Sequence, residues 1–235
     1  MVGGKKSSKK KGKQPVPLDK GPLGSTALSL SQRLISIGID GKAGFDGAHR
    51  VAQAALADYP ADRERAIDKV VSQHRRLAAS AGFVTSLGGF VTMAVALPVN
   101  LTGFYLINTR MVAAIAHLRG YDLADPGTRT AILLTLVGGD ADDVLKKAGV
   151  VSTGRLANLA SNQLPPPAVM VVNKAVGFRL IRQLGDKLFT RLGKGIPVAG
   201  GVMGAGLDAF LLSRIAKGAR KEFPPTERLL RAGSH

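Results

Sequence analysis

From Leu77 to Thr109 the chain runs thirty-three residues without a charge, LAASAGFVTSLGGFVTMAVALPVNLTGFYLINT, inside a protein of 235 residues whose formal net charge is +17. No other feature limits the fold so strongly. The stretch exceeds the roughly twenty apolar residues that cross a bilayer. It is also rich in Gly, Ala, Ser and Thr, which let helices approach closely in membranes and in soluble bundles alike. Pro98, Asn100, Asn108 and the glycines make a poor lipid-facing surface, because backbone and side-chain polar groups have no partner in hydrocarbon. The expectation is a helix–break–helix hairpin with the break at Pro98, packed as a core; partial insertion into lipid is the alternative.

The rest of the chain reads as helix. Residues 1–24 are Lys, Gly, Ser and Pro and bury too little apolar surface to repay ordering. They form a disordered basic tail with no apolar run of the kind a secretory signal carries. A helical domain is expected over 25–223, and a short basic helix or tail over 224–235. Helices are predicted over Ser25–Ile39, Phe45–Asp58, from Pro60 into the neutral stretch, and from Pro98 to Arg119 with Gly120 as a left-handed cap. Asp125 and Pro126 start another. Asp140 caps a short one through Lys147, and Leu156–Ala160 forms one more. An amphipathic helix covers Ala168–Leu192, with Val172, Val176 and Leu180 inward. A last long helix begins at Pro197 and runs to about Lys221. Its neutral start, GIPVAGGVMGAGL, pairs Gly200 with Gly204 at small-residue spacing, and Gly88–Gly89 serves the same close packing. The fold class is an all-α, single-domain helical bundle in which the two neutral segments nest against each other.

Composition narrows the chemistry. There are no cysteines, which removes disulfides, thiolate metal sites and cysteine nucleophiles and fits a cytoplasmic location. The four histidines lack metal-ligand spacing, and the Asp140, Asp142 and Asp143 cluster is explained by helix capping, so neither metal nor cofactor is expected. No catalytic motif occurs, and an enzyme is the less favoured class. The polar residues inside the neutral stretch, Asn100, Tyr105, Asn108 and Arg110, either bond to the backbone freed by Pro98 or line a ligand or lipid site.

Two segments carry a family signature. LPVNLTGFYLINTRMVAAIAHLRGYDLADPGTR holds Pro98, Arg110, Ile115–Ala116, Gly120–Tyr121–Asp122 and Pro126. GKGIPVAGGVMGAGLDAFLLSRIAKGARKEF holds Gly193, Lys194, Ile196, Pro197, Gly200, Gly204, Gly206 and Asp208. Together they resemble the bacterial EcsC family over about residues 45 to 223. The family takes its name from a protein encoded beside an ABC transporter's ATPase and membrane subunits, and has no agreed catalytic residues to carry over. The resemblance implies a bacterial origin, a helical fold and a role near the membrane.

The charge then points to a partner. Lys5, Lys6, Lys9, Lys10, Lys11 and Lys13 in the tail, with Arg179, Arg182, Lys187, Arg191, Lys217, Arg220 and Lys221 late in the chain, attract a polyanion. The leading expectation is a non-enzymatic protein bound peripherally to anionic lipid on the inner face of the cell membrane, with a transporter or other membrane protein as a further partner. Nucleic acid is the second class; with no Trp and three Tyr, the chain has few stacking platforms. A lipid or small-molecule carrier, or an enzyme, with an apolar cavity behind the 98–110 helix is the third.

Overall fold

The computed structural model describes residues 22–42, 44–87, 89–150, 154–161, 164–192 and 200–232. Among them the secondary structure is helical, with one isolated bridge between Lys42 and Phe45. The helices are α1 (Pro22–Arg33), α2 (Ala48–Asp58), α3 (Arg63–Leu87), α4 (Gly89–Leu118), α5 (Pro126–Val137), α6 (Ala141–Lys147), α7 (Asn158–Ser161), α8 (Pro166–Leu192), α9 (Gly200–Glu222) and α10 (Glu227–Ala232). The all-α single-domain bundle is what the sequence predicts.

α4 is the axis of the bundle. Met111 through Ala116 are six consecutive buried residues, so this stretch of the helix is covered all round. Its neighbours are α2, α3, α5, α9 and the π-helical turn Leu34–Ile39 that follows α1. α5 is likewise buried from Thr130 to Val137. Uncharged, small-residue sequence is what lets these helices pack on every side.

α3 and α4 form the expected hairpin: Glu64 pairs with Arg119, and His74 meets Arg110 farther along. The reversal, however, is not at Pro98. α4 runs unbroken through Pro98, and the helices part between Leu87 and Gly89. Proline removes one backbone hydrogen bond and tends to kink a helix. A Gly–Gly pair costs helix propensity at two adjacent positions, and α3 ends just before it while α4 begins at its second residue. α9 lies along α3 in the antiparallel sense, with Arg220 beside Glu64 and Asp68. That direction sends the neutral start of α9 toward the neutral end of α3, and α9 also packs on α4.

Several boundaries shift for local reasons. α3 starts at Arg63, because Pro60 lies in a turn and the Asp62 carboxylate accepts from the Arg65 N–H at 2.9 Å. α2 starts at Ala48, because Phe45 and Lys42 exchange backbone hydrogen bonds of 2.7 and 3.0 Å across a tight turn. Gly44 lies in that turn at φ +81°, and Gly41 leads into it at φ +87°. Gly120 caps α4 at φ +91°, and Asp125 caps α5, accepting from the Thr128 N–H at 2.6 Å. The Gly195–Pro197 start of the last long helix falls outside the described residues, within which α9 begins at Gly200.

Candidate functional site

The polar residues of α4 do not converge on one site. Tyr105 is buried and its hydroxyl donates to Gln183 Oε1 at 3.3 Å on α8. Burial pushes its pKa up to about 12. Asn108 is buried and its Nδ2 donates to the Phe104 carbonyl at 2.8 Å; Thr109 bonds back to Tyr105 in the same way. These are ordinary carbonyls one turn upstream, not backbone groups freed by Pro98. The expectation of local backbone bonding holds in kind and fails in place. Asn100 lies on α4, with its side chain outside the described residues.

Arg110 faces another way, and around it a second polar node forms. Its Nε donates to His74 Nε2 at 3.1 Å. The His74 ring is 2% exposed, and its Nδ1 lies 2.7 Å from the Val70 carbonyl. That carbonyl needs a donor, so the proton sits on Nδ1 and Nε2 is left as the acceptor for Arg110. Burial first, and the nearby Arg110 charge, hold the His74 pKa near 4, so the imidazole is neutral at ordinary pH. The Phe45 ring lies 4.0 Å under the guanidinium carbon, and the Asp46 carbonyl accepts from Nη1 at 3.4 Å.

The loop that carries Phe45 and Asp46 is itself anchored. Arg129 on α5 donates to both Asp40 oxygens, at 3.0 and 2.5 Å, and to the Leu123 carbonyl at 2.7 Å. Gly47 packs so closely that a Cβ there would lie 2.5 Å from the Asp40 carbonyl oxygen. Just beyond it, His49 Nδ1 and His117 Nε2 stand 3.1 Å apart, within hydrogen-bond distance. Burial, then His49 and Arg63, hold the His117 pKa below its usual value. The sequence shows these two histidines 68 positions apart; nothing in their spacing signals that the fold joins them. Among the described residues no three acidic or imidazole side chains gather as a metal site.

The basic residues divide by what surrounds them. Arg179 forms a two-point ion pair with Asp140, at 2.8 and 2.5 Å, and Gln183 adds a weaker bond to the same carboxylate. The Asp140 side chain therefore does not cap α6 as expected, because a charged guanidinium competes better for a carboxylate than a neutral backbone N–H does. Arg220 is held by Asp68 and Glu64. Arg182, Lys217 and Lys221 are exposed. The side chains of Lys187 and Arg191 fall outside the described residues, as do residues 1–21 with Lys5, Lys6, Lys9, Lys10, Lys11 and Lys13. Gly88 also falls outside them; Gly89, Gly200 and Gly204 lie in the first turns of α4 and α9.

One surface feature was not singled out by sequence reasoning. Gly206, Phe210, Arg214, Lys217 and Lys221 are all exposed and recur at intervals of three or four, so they form one outward stripe of α9. The opposite face buries Leu212, Ala216, Ala219 and Phe223. Phe210 stands 58% exposed at the end of a cationic row. None of the three cations pairs with a carboxylate among the described residues. The spacing was legible, but an aromatic residue in a helix reads first as core.

No helix among the described residues is long and apolar enough to cross a membrane. No curated protein and no solved structure matches the chain. The model of the EcsC protein family matches residues 54–225, which takes in the last five residues of α2 and everything through the end of α9. With well over half its length matched, the chain belongs to the EcsC protein family.

Proposed function

We propose that this protein is a non-enzymatic, peripheral membrane protein that rests on an anionic lipid surface through the outward stripe of α9, assisted by the Lys-rich tail. The observation that carries the reading is the stripe itself: Phe210 beside Arg214, Lys217 and Lys221, with the apolar face of the same helix already used in the core. Each Lys or Arg near an anionic surface contributes about 1 kcal/mol, and the attraction fades within a Debye length. An exposed Phe adds apolar contact at the headgroup boundary. Shallow seating fits a bundle without a crossing helix among its described residues. The cytoplasmic face of the cell membrane is the anionic surface such a protein would meet, and a transporter embedded there a further partner.

The test is flotation with vesicles. Phosphatidylglycerol vesicles should carry the protein upward at low salt and release it at high salt, while phosphatidylcholine vesicles leave it behind. Equal recovery with both lipids, or none with either, rejects the proposal. Preferential, salt-steep capture by a nucleic acid competitor would transfer the charge to the second class of partner.

A further inference from the structure

We infer that Arg110 is the receptor for a phosphate-type oxyanion at the junction of α2, α3 and α4. Five arginines are partly buried among the described residues: Arg110, Arg119, Arg129, Arg179 and Arg220. Four of them have a carboxylate partner, respectively Glu64, Asp40, Asp140 and Asp68. Arg110 has none within ion-pair distance there. The adjacent carboxylate, Asp46, turns its oxygen to Arg50 at 2.9 Å. Burial lowers the Arg110 pKa and the Asp46 charge offsets this only in part, which leaves a partly buried guanidinium whose nearest carboxylate is shared with Arg50. Here it is also held in place. Its Nε is fixed by a histidine that is almost fully buried, its plane rests on Phe45, and Nη1 has a long bond to the Asp46 carbonyl. These contacts engage Nε, one Nη1 donor and one face. Nη2 has no hydrogen-bond partner among the described residues, and a fork that pairs an Nη2 proton with the second Nη1 proton matches two oxygens of a phosphate group.

His74 is the positioning residue in this arrangement. Neutral and buried, it offers Arg110 an acceptor without cancelling its charge, which a carboxylate in the same place would do. Phe45 and Asp46 precede the segment that matches the family, residues 54–225. The receptor is therefore assembled partly from the matched helices and partly from the loop in front of them. It lies on the α2 side of the hairpin and does not depend on the α9 stripe.

The experiment follows the histidine ring and guanidinium NMR signals of the full chain during titration with three probes at matched ionic strength: inorganic phosphate, soluble dihexanoyl phosphatidic acid and sodium chloride. The Arg110 Nε–H and the His74 ring nitrogens should shift with a phosphate-bearing probe and not with chloride. A response to both phosphate probes establishes the shared chemistry, and a response to the lipid alone assigns the group to a headgroup. Arg110→Gln should weaken the binding at least about tenfold, the equivalent of one charged hydrogen bond. Shifts equal to those in chloride overturn the inference, as does undiminished binding by a folded Arg110→Gln protein. The wild-type titration stands by itself if that variant fails to fold.

Discussion

Gly177 of α8 meets Ala27 of α1 backbone to backbone, so closely that a Cβ at position 177 would overlap the Ala27 carbonyl. Ser31, one turn along α1, donates to the Asn173 carbonyl at 2.7 Å, and the crossing has no room for a side chain. The contact ties the first helix, which precedes the family match, to the body of the bundle.

Gly177→Ala is therefore expected to destabilise the protein, although alanine is ordinarily the better helix former. The propensity gain is about 1 kcal/mol. Overpacking against rigid backbone costs about 3 kcal/mol, so the clash prevails. Urea unfolding followed by circular dichroism should show a lower midpoint for Gly177→Ala, with protease cleavage appearing near α1. A midpoint equal to or above wild type would show that α1 does not bind there.

Acid should weaken the fold through His74. Its pKa lies near 4 in the folded protein and at 6.5 in the reference state. Between those values the unfolded chain binds a proton that the folded chain refuses. Stability therefore rises with pH across this window and is lost as pH falls from about 6.5 to about 4. The shift corresponds to about 3 kcal/mol, and His117, whose pKa is also lowered, acts in the same sense. Urea midpoints at pH 7 and pH 4.5 should differ markedly in the wild type and less in His74→Gln. An equal acid loss in both proteins would remove His74 as the cause.

Asp140 gives a control with the same sign but a lower pH window. Hydrogen bonding from Arg179 holds its carboxyl below the ordinary 3.8, so what it contributes is present above that value and is lost only as pH falls further. Asp140→Asn breaks the two-point pair and leaves Gln183, which also serves Tyr105, with a changed partner. The group is partly exposed, so the expected loss at pH 7 is about 1 kcal/mol. The measurement is the urea midpoint at pH 7 against pH 5, where the deficit of Asp140→Asn should be the same.

Much of this architecture was legible. Gly120 as a left-handed cap, Asp125–Pro126 as a helix start and Val172, Val176 and Leu180 as a buried stripe all follow from local rules, and the structure has each in place. Pro98 misled because proline's cost is local, one backbone hydrogen bond and a tendency to kink, and α4 continues through it. The Arg110–His74 contact was not legible, since it depends on the register of α3 against α4, which no single segment encodes. Phe210 was overlooked for a simpler reason. Its exposure is decided by which face of α9 the core takes, and Leu212, Ala216 and Ala219 take the other one.

The α9 stripe makes a prediction that total charge does not. Lys217→Ala with Lys221→Ala removes two cations from the stripe, about 2 kcal/mol of surface attraction and so about thirtyfold in vesicle affinity at low salt. Lys146→Ala with Lys147→Ala removes the same charge from α6, where both side chains are also exposed. If the stripe seats on the lipid, the second pair should change affinity far less than the first. Phe210→Ser should weaken binding about fivefold, the equivalent of about 1 kcal/mol of apolar contact, and this loss should persist at salt concentrations that erase the lysine effect. Because Phe210 is exposed, its replacement should leave the urea midpoint unchanged. Equal losses from the two lysine pairs, with none from Phe210→Ser, would mean that the protein is held by its overall charge and not by this face.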